Sequence, residues 1–434
     1  MKVLIIGAGT GGLCLAQRLK QSGVDVVVFE RDRTRTDGLF GYRVGISPDG
    51  GRALKACLPP ELFAAFDATV ALPPLYTNFI TEKGRDLFVV GPEDMPEVSG
   101  DPAAVERSVS RMTLRQVLLT GLENVVRFDK KFERYEHGED GRVTAFFTDG
   151  TSETGDVLVG ADGTSSRVRK QYLPHAKLVE TGLFGVTGKL PLNDYTRALL
   201  TPHMKRGVTM VFAPGGANTI LHVMEFPWQR GETDPELMRA WPGMTFDNTS
   251  DYIMWGFGTH RRHLPSNFME LGGPDLHRLV LDKTRTWAPN LRRLFELADS
   301  TSCFPLNIRT SEPVDPWPSS NVTLIGDAIH TMTPGLGVGA NTALRDAQIL
   351  GANLSAMPVL DAIADYERQM HTYAWEAVIK SRERFNGDDV AYKPVIGRVA
   401  LAGMRTGMRM MNHVGPLKRK MIRAQAASRD HADS

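Results

Sequence analysis

The chain has 434 residues, enough for more than one hydrophobic core. Its 51 Lys and Arg nearly cancel its 50 Asp and Glu, leaving +1, so there is no global electrostatic case for nucleic acid or an acidic partner. No run approaches about 18 uninterrupted apolar residues, so no membrane span is expected. The scattered cysteines Cys14, Cys57 and Cys303 fit neither a disulfide framework nor a zinc site and predict a reducing, cytoplasmic setting.

The apolar run at 3–6 reads as a buried parallel strand rather than a signal peptide. It breaks into G-x-G-x-x-G at Gly7, Gly9 and Gly12. These glycines suit a tight turn, a close backbone approach to pyrophosphate, and close packing of the next helix. Apolar positions 12, 15, 16 and 19 keep helical spacing up to a stop at Ser22-Gly23. A second strand at 24–29 then delivers Glu30, about 20 residues past the glycines, where a ribose hydroxyl is normally held. The order predicts a dinucleotide with an unphosphorylated ribose, NAD or FAD.

Residues 70–100 read as strands and loops of an insertion, and 112–122 as a helix. Strand patterns then lead to Asp162-Gly163. Residues 180–260 read as β-rich, with a hairpin loop at 214–218, and 275–298 as helical. A second buried strand at 322–325 is followed by a glycine-rich turn and a helix from about 339. Two nucleotide-type signals thus lie at opposite ends of the chain. One domain is assembled from separated segments, and the β-rich block hangs from it.

Within that block Met210, Phe212, His222, Met224, Trp255 and Phe257 alternate on strand patterns and are candidate pocket residues, with core burial as the alternative. Lys189 is a candidate for holding an acidic or phenolic group, or else a solvated lysine. His260 and His263 lack an acidic or thiol partner, so no metal site is expected. From 390 to 429 there are nine Lys or Arg and no acid, with Leu401, Met404, Met408 and Met411 at heptad spacing. This predicts an amphipathic helix over the FAD domain or pocket mouth, with a dimer or anionic-membrane contact as alternatives.

The stretch "VTLIGDAIHTMTPGLGVGANTALRDAQIL" at 322–350 names the cofactor. The acid after the strand can accept hydrogen bonds from a sugar-alcohol chain. The glycines bring a helix N-terminus to a spot that suits the negative charge of a reduced flavin.

On these residues the sequence resembles the class A flavoprotein monooxygenases, in particular their salicylate-hydroxylase-like and tetracycline-inactivating branches. Gly7, Gly9, Gly12 and Glu30 match the family's ADP-binding start, and Arg111 in "SRMTLRQVLL" its R-x-x-L arginine. "VLVGADGTSSRVR" matches the Asp-Gly motif, with Asp162. "LIGDAIHTMTPGLGVGAN" matches the G-D motif, with Asp327 on the ribityl chain and Pro334, Gly337, Gly339 and Ala340 by the flavin. Arg43 lies in the flavin loop. Ile329 and Val338 depart from the usual Ala and Gln.

The resemblance implies an α/β fold. A Rossmann-like FAD-binding domain of the GR2 type comprises 1–70, 101–180 and 300–360. A β-sheet-rich substrate domain comprises 71–100 and 181–299, and C-terminal helices 361–434. It further implies non-covalent FAD, NADH or NADPH as co-substrate, O2, and a phenolic, aromatic or enolic small-molecule substrate in a monomer or homodimer. The reduced flavin would capture O2 as a C4a-hydroperoxide and pass oxygen to a nucleophilic ring carbon. With one dinucleotide fingerprint only, NAD(P)H would dock transiently near Asp162 and Arg43. The alternatives are a related epoxidase, Baeyer–Villiger oxygenase, halogenase or reductase, or a non-redox FAD-fold binding protein.

Overall fold

The first apolar run folds as Lys2–Ile6, the middle of a five-stranded parallel sheet. Its neighbours are Asp25–Phe29 on one side and Val157–Gly160 on the other, with Val126–Arg127 and Val322–Leu324 at the edges. Strands this apolar must be covered on both faces. The helix Thr10–Gln21 packs on the sheet and on Gly339–Ala356, which comes from over 300 residues later in the chain. A computed structural model describes the chain except residues 36, 38–40, 95–104, 228–249, 385–392, 394–395, 417, 421 and 423–434.

A seven-stranded sheet forms the second body, in the order Phe304–Ser311, Leu178–Pro191, Tyr252–His260, Asn218–Met224, Gly207–Phe212, Tyr76–Thr81, Asp86–Val90. The insertion strands near 80 therefore join this sheet. So does Phe304–Ser311, although it lies past the sequence boundary drawn at 300.

Strand alternation gives the sheet two different faces. One face buries Val186, Leu221, Ile253, Trp255 and Phe257 against Leu276, Val280, Leu291, Leu294 and Phe295. The last five come from the helices Gly273–Lys283 and Pro289–Glu296. The single helical stretch expected at 275–298 is thus two helices. Pro289 lacks the N–H that a continuous helix would use, and it opens the second one instead.

The opposite face carries Lys189, Met254 and His222 in one cross-strand row, and Tyr252 and Met224 in the next. It meets the FAD-side body through a cluster of Tyr42, Ala71, Met112, Met224, Phe226 and Tyr252. Two pocket candidates are corrected here. Trp255 and Phe257 are paired with Gly188 and Val186, one residue out of phase with the Lys189 row, so both lie in the core behind the sheet. Trp255 is fully buried and meets the Phe295 ring edge-on at 5.3 Å.

The helix Ile396–His413 packs mainly on the seven-stranded sheet. It lies on the outer strand Asp86–Val90 and on the turn at Pro214–Gly216. Within the basic stretch, residues 390–392, 394–395, 417, 421 and 423–429 lie outside the described residues.

If Trp255 is core, Trp255→Ala removes a large side chain that the packed helices cannot replace. The loss should be about 3–5 kcal/mol of unfolding free energy, read as a lower midpoint in urea denaturation. A pocket residue would instead leave the midpoint near wild type.

Candidate FAD and substrate site

Three parallel strands end side by side at Ile6, Phe29 and Gly160. Gly7 N donates to Phe29 O at 2.8 Å and Ala161 N to Ile6 O at 2.8 Å. A Cβ at Gly7 would run into the Ala161 carbonyl, and one at Gly12 into the Gly7 carbonyl. Both positions therefore need glycine for close approach. At Gly9 the reverse holds, since no heavy atom lies within 4 Å of where its Cβ would stand. Gly9 is the N-cap of Thr10–Gln21, which has no side-chain cap and no acid in its first turn. Its N–H groups suit a pyrophosphate.

Glu30 is buried at the neighbouring strand end. Its Oε2 accepts from Ala8 N at 2.7 Å and its Oε1 from Asp32 N at 3.0 Å. Each carboxylate oxygen retains acceptor capacity for a ribose hydroxyl. Arg115 braces this corner, donating to Ala8 O at 3.2 Å and to Asp32 at 3.1 Å. Sequence reasoning missed Arg115, although it stands one helical turn after Arg111. Asp162 uses Oδ2 to accept from Arg167 N at 2.7 Å. Its Oδ1 is buried without a partner among the described residues, and its backbone lies against Gly7.

The second corner is built around Asp346, which is fully buried. It accepts from Gly326 N at 2.7 Å, His330 Nε2 at 2.6 Å and Tyr373 OH at 2.5 Å. Gly326 has φ 61°, so the turn that presents Asp327 is held in a glycine-only conformation by this carboxylate. Sequence reasoning took His330 as structural but did not single out Asp346, whose partners lie 16 to 27 residues away.

Protein surrounds Asp327 on most sides and raises its carboxyl above the ordinary 3.8, with His330 and Arg111 pulling it back. The residue nevertheless has open accessible surface. Arg111, itself exposed, packs along Gly41 and so links the Arg43 loop to Asp327.

Pro334 and Gly337 are exposed, and Gly339 and Ala340 half-buried, at the start of Gly339–Ala356. This N-terminus also lacks a side-chain cap and an acid in its first turn. Asn341 ties it to the Arg43 loop, donating to Gly45 O at 2.9 Å and accepting from Ser47 N at 2.9 Å.

The substrate candidates separate into two groups. His222 is 1% exposed, and its Nδ1 has no partner among the described residues. Burial, and then the Arg43 charge, hold its pKa well below 6.5, so the imidazole is neutral. Arg43 itself donates to Ser108 Oγ at 3.2 Å. Lys189 Nζ sits 5.2 Å from the Tyr42 ring centroid and 5.4 Å from that of Tyr252. The Tyr252 hydroxyl donates to Tyr42 O at 2.6 Å. Met210 and Met224 share this face. Phe212 shares it too, but lies at the far end, stacked on Phe79 at 6.2 Å beneath the C-terminal helix. Tyr252 and Met254 are the face's own members that sequence reasoning passed over in favour of Trp255. Among the described residues no group of His, Cys, Asp or Glu suits a metal ion.

The FAD binding domain family matches residues 1–39 and 298–381, the two segments that carry these corners. A solved structure assigned as an FAD-containing monooxygenase from Photorhabdus luminescens subsp. laumondii is 34% identical. It covers 88% of this chain and 97% of its own, with a TM-score of 0.74. The chain belongs to the class A flavoprotein monooxygenases. The dual O-methyltransferase/FAD-dependent monooxygenase CTB3 of Cercospora beticola is 33% identical over 415 residues, which is 88% of this chain but 46% of that protein. The chain thus spans about half the length of the curated relatives it matches first. Klebsiella pneumoniae HpxO, solved with FAD and uric acid, shares the fold at 23% identity and a TM-score of 0.77, covering 99% of this chain and 96% of its own.

FAD is the cofactor of this family. The residues present fit it: an open glycine at an uncapped helix N-terminus, Glu30 beside it, and the unpartnered Asp162 oxygen.

Burial opposes protonation of His330, but the Asp346 charge and hydrogen bond outweigh it and raise its pKa above 6.5. Stability from this pair is then fully present below the ordinary histidine value and lost as pH rises through the raised one. Wild type should exceed His330→Gln in unfolding free energy more at about pH 6 than at about pH 9, by on the order of 1 kcal/mol. A gap that stays constant with pH would contradict a charged His330–Asp346 pair.

Proposed function

We propose that the chain is an FAD-dependent monooxygenase that uses NAD(P)H and O2 to hydroxylate a small planar phenolic, aromatic or enolic compound. Residues 1–70, 101–180 and 300–360 hold FAD in this reading, and 71–100 and 181–299 hold the substrate. The reading also carries transient docking of NAD(P)H near Asp162 and Arg43, and a cytoplasmic enzyme. Its main support is one observation: a buried, neutral His222 with an unpartnered ring nitrogen beside Arg43, on the sheet face turned toward the FAD-side body.

Bound FAD supplies the oxygen activation. The chain's own residues bind and orient. Glu30 and the Gly9 helix end receive the ADP part. Asp327, Arg111 and the Gly339 helix end receive the ribityl chain and ring. Met210, Met224 and Met254 offer a polarisable apolar wall for a flat ring. His222 Nδ1 accepts a substrate hydroxyl. Its low basicity keeps that contact a hydrogen bond rather than a full proton transfer. The cation of Lys189, held over two tyrosine rings, favours an ionised phenol or enol, the electron-rich form that an electrophilic oxygen requires.

The test is NADH and NADPH oxidation, with O2 uptake and product mass, across a panel of phenols and enols including uric acid. At least one compound should stimulate oxidation and emerge heavier by one oxygen atom. On that compound His222→Leu should lower kcat/KM roughly ten- to a hundredfold, the cost of leaving one buried hydrogen-bonding group unpaired, with FAD content unchanged. Stimulated oxidation that yields only peroxide with every compound would contradict the proposal.

A further inference from the structure

The C-terminal helix has a second face that no contact among the described residues uses. Ile396–His413 packs through Met408 and Met411 onto Phe88 and Val90. Arg405 pairs with Glu82 and donates to Phe212 O, and Asn412 accepts from Val89 N at 3.1 Å. These contacts fix one side of the helix on the seven-stranded sheet.

The other side is apolar and exposed. Ile396 is 60% exposed, Val399 71% and Met410 65%. With Gly403 and Gly407 they fall within an arc of about 80° on a 3.6-residue helix. Val414, just past the helix, is also exposed. A solvated helix normally puts polar residues on that side. Arg398 and Arg409 stand exposed about 80–100° of helix turn from the edge of this stripe, between it and the docked side, and Arg419 and Lys420 beyond the helix end. From 390 to 429 the chain has no Asp or Glu.

The charge decides which occupant fits. A second copy of this helix would add its own cations to the same face with no carboxylate from either helix to offset them. An anionic lipid surface supplies phosphates to these cations and takes up the apolar stripe below the headgroups, with long arginine side chains able to reach back toward the phosphates. We propose that Ile396–His413 is an interfacial helix that docks the protein on an anionic bilayer surface. Among the described residues no helix is long and apolar enough to cross a membrane. The inference stands independently of the substrate reading, because its test reads vesicle binding and not turnover.

The test is flotation of the FAD-loaded full chain with vesicles of phosphatidylcholine alone, or of phosphatidylcholine mixed with phosphatidylglycerol. Wild type should float with the mixed vesicles only, and high salt should release it, as the Debye length falls toward about 3 Å. Val399→Glu/Met410→Glu and Arg398→Glu/Arg409→Glu should each weaken partitioning at least tenfold. Both change exposed side chains, and unchanged circular dichroism and FAD content would show that the fold is intact. Several results would overturn the proposal: no binding to mixed vesicles, equal binding to both vesicle types, or full binding by both double variants. A wild-type dimer that dissociates on Val399→Glu without any vesicle binding would also overturn it and assign the face to self-association.

Discussion

The close approach of Gly7 and Gly12 to the Ala161 turn is the constraint on which the rest of the molecule depends. There the carboxyl ends of three parallel strands reach the same edge, and only a chain without Cβ atoms lets the strand, the turn and the helix meet. Ligands in open parallel sheets bind at such an edge because the helix N-termini converge on it. Glu30, Asp162 and Asp327 come from sequence positions far apart, yet each lies just past the end of one strand of this sheet, which ends at Phe29, Gly160 or Leu324.

Around that edge the buried polar groups serve geometry more than chemistry. Asp346 holds the Gly326 turn, a tyrosine and a histidine at once, and so aims Asp327 without touching a ligand itself. Asn341 couples the Gly339 helix end to the loop of Arg43. An interior carboxylate with three donors is expensive to disturb, which gives the Asp327 turn a rigid support. The seven-stranded sheet works differently. One face is sealed by helices, and the other carries a short row of Lys189, Met254 and His222 toward the cleft.

Much of the FAD side was legible in the sequence, because strand–glycine–helix–acid is a local pattern whose residues carry their own geometry. Arg111 and Asp327 were legible as members of motifs, and the structure brings their charges into mutual range. The sheet face was harder to read. A strand shows every second residue to one side, so a phase error of one residue exchanges Met254 for Trp255, and composition alone favours the tryptophan. Arg115, Asn341 and Asp346 act through partners distant in sequence, and no local pattern announces them. The basic C-terminal helix showed its periodicity in the sequence, but not its neighbour. The outer strand it covers is formed by residues some 300 positions earlier.

The central claim is that this edge holds one FAD per chain without a covalent bond. The most direct measurement is the visible spectrum of the purified protein before and after denaturation, with the released flavin identified and counted against protein. The account predicts a yellow protein that releases FAD on denaturation in a one-to-one ratio. A colourless protein that takes up no FAD on addition, or a flavin that stays with the precipitated chain, would contradict it.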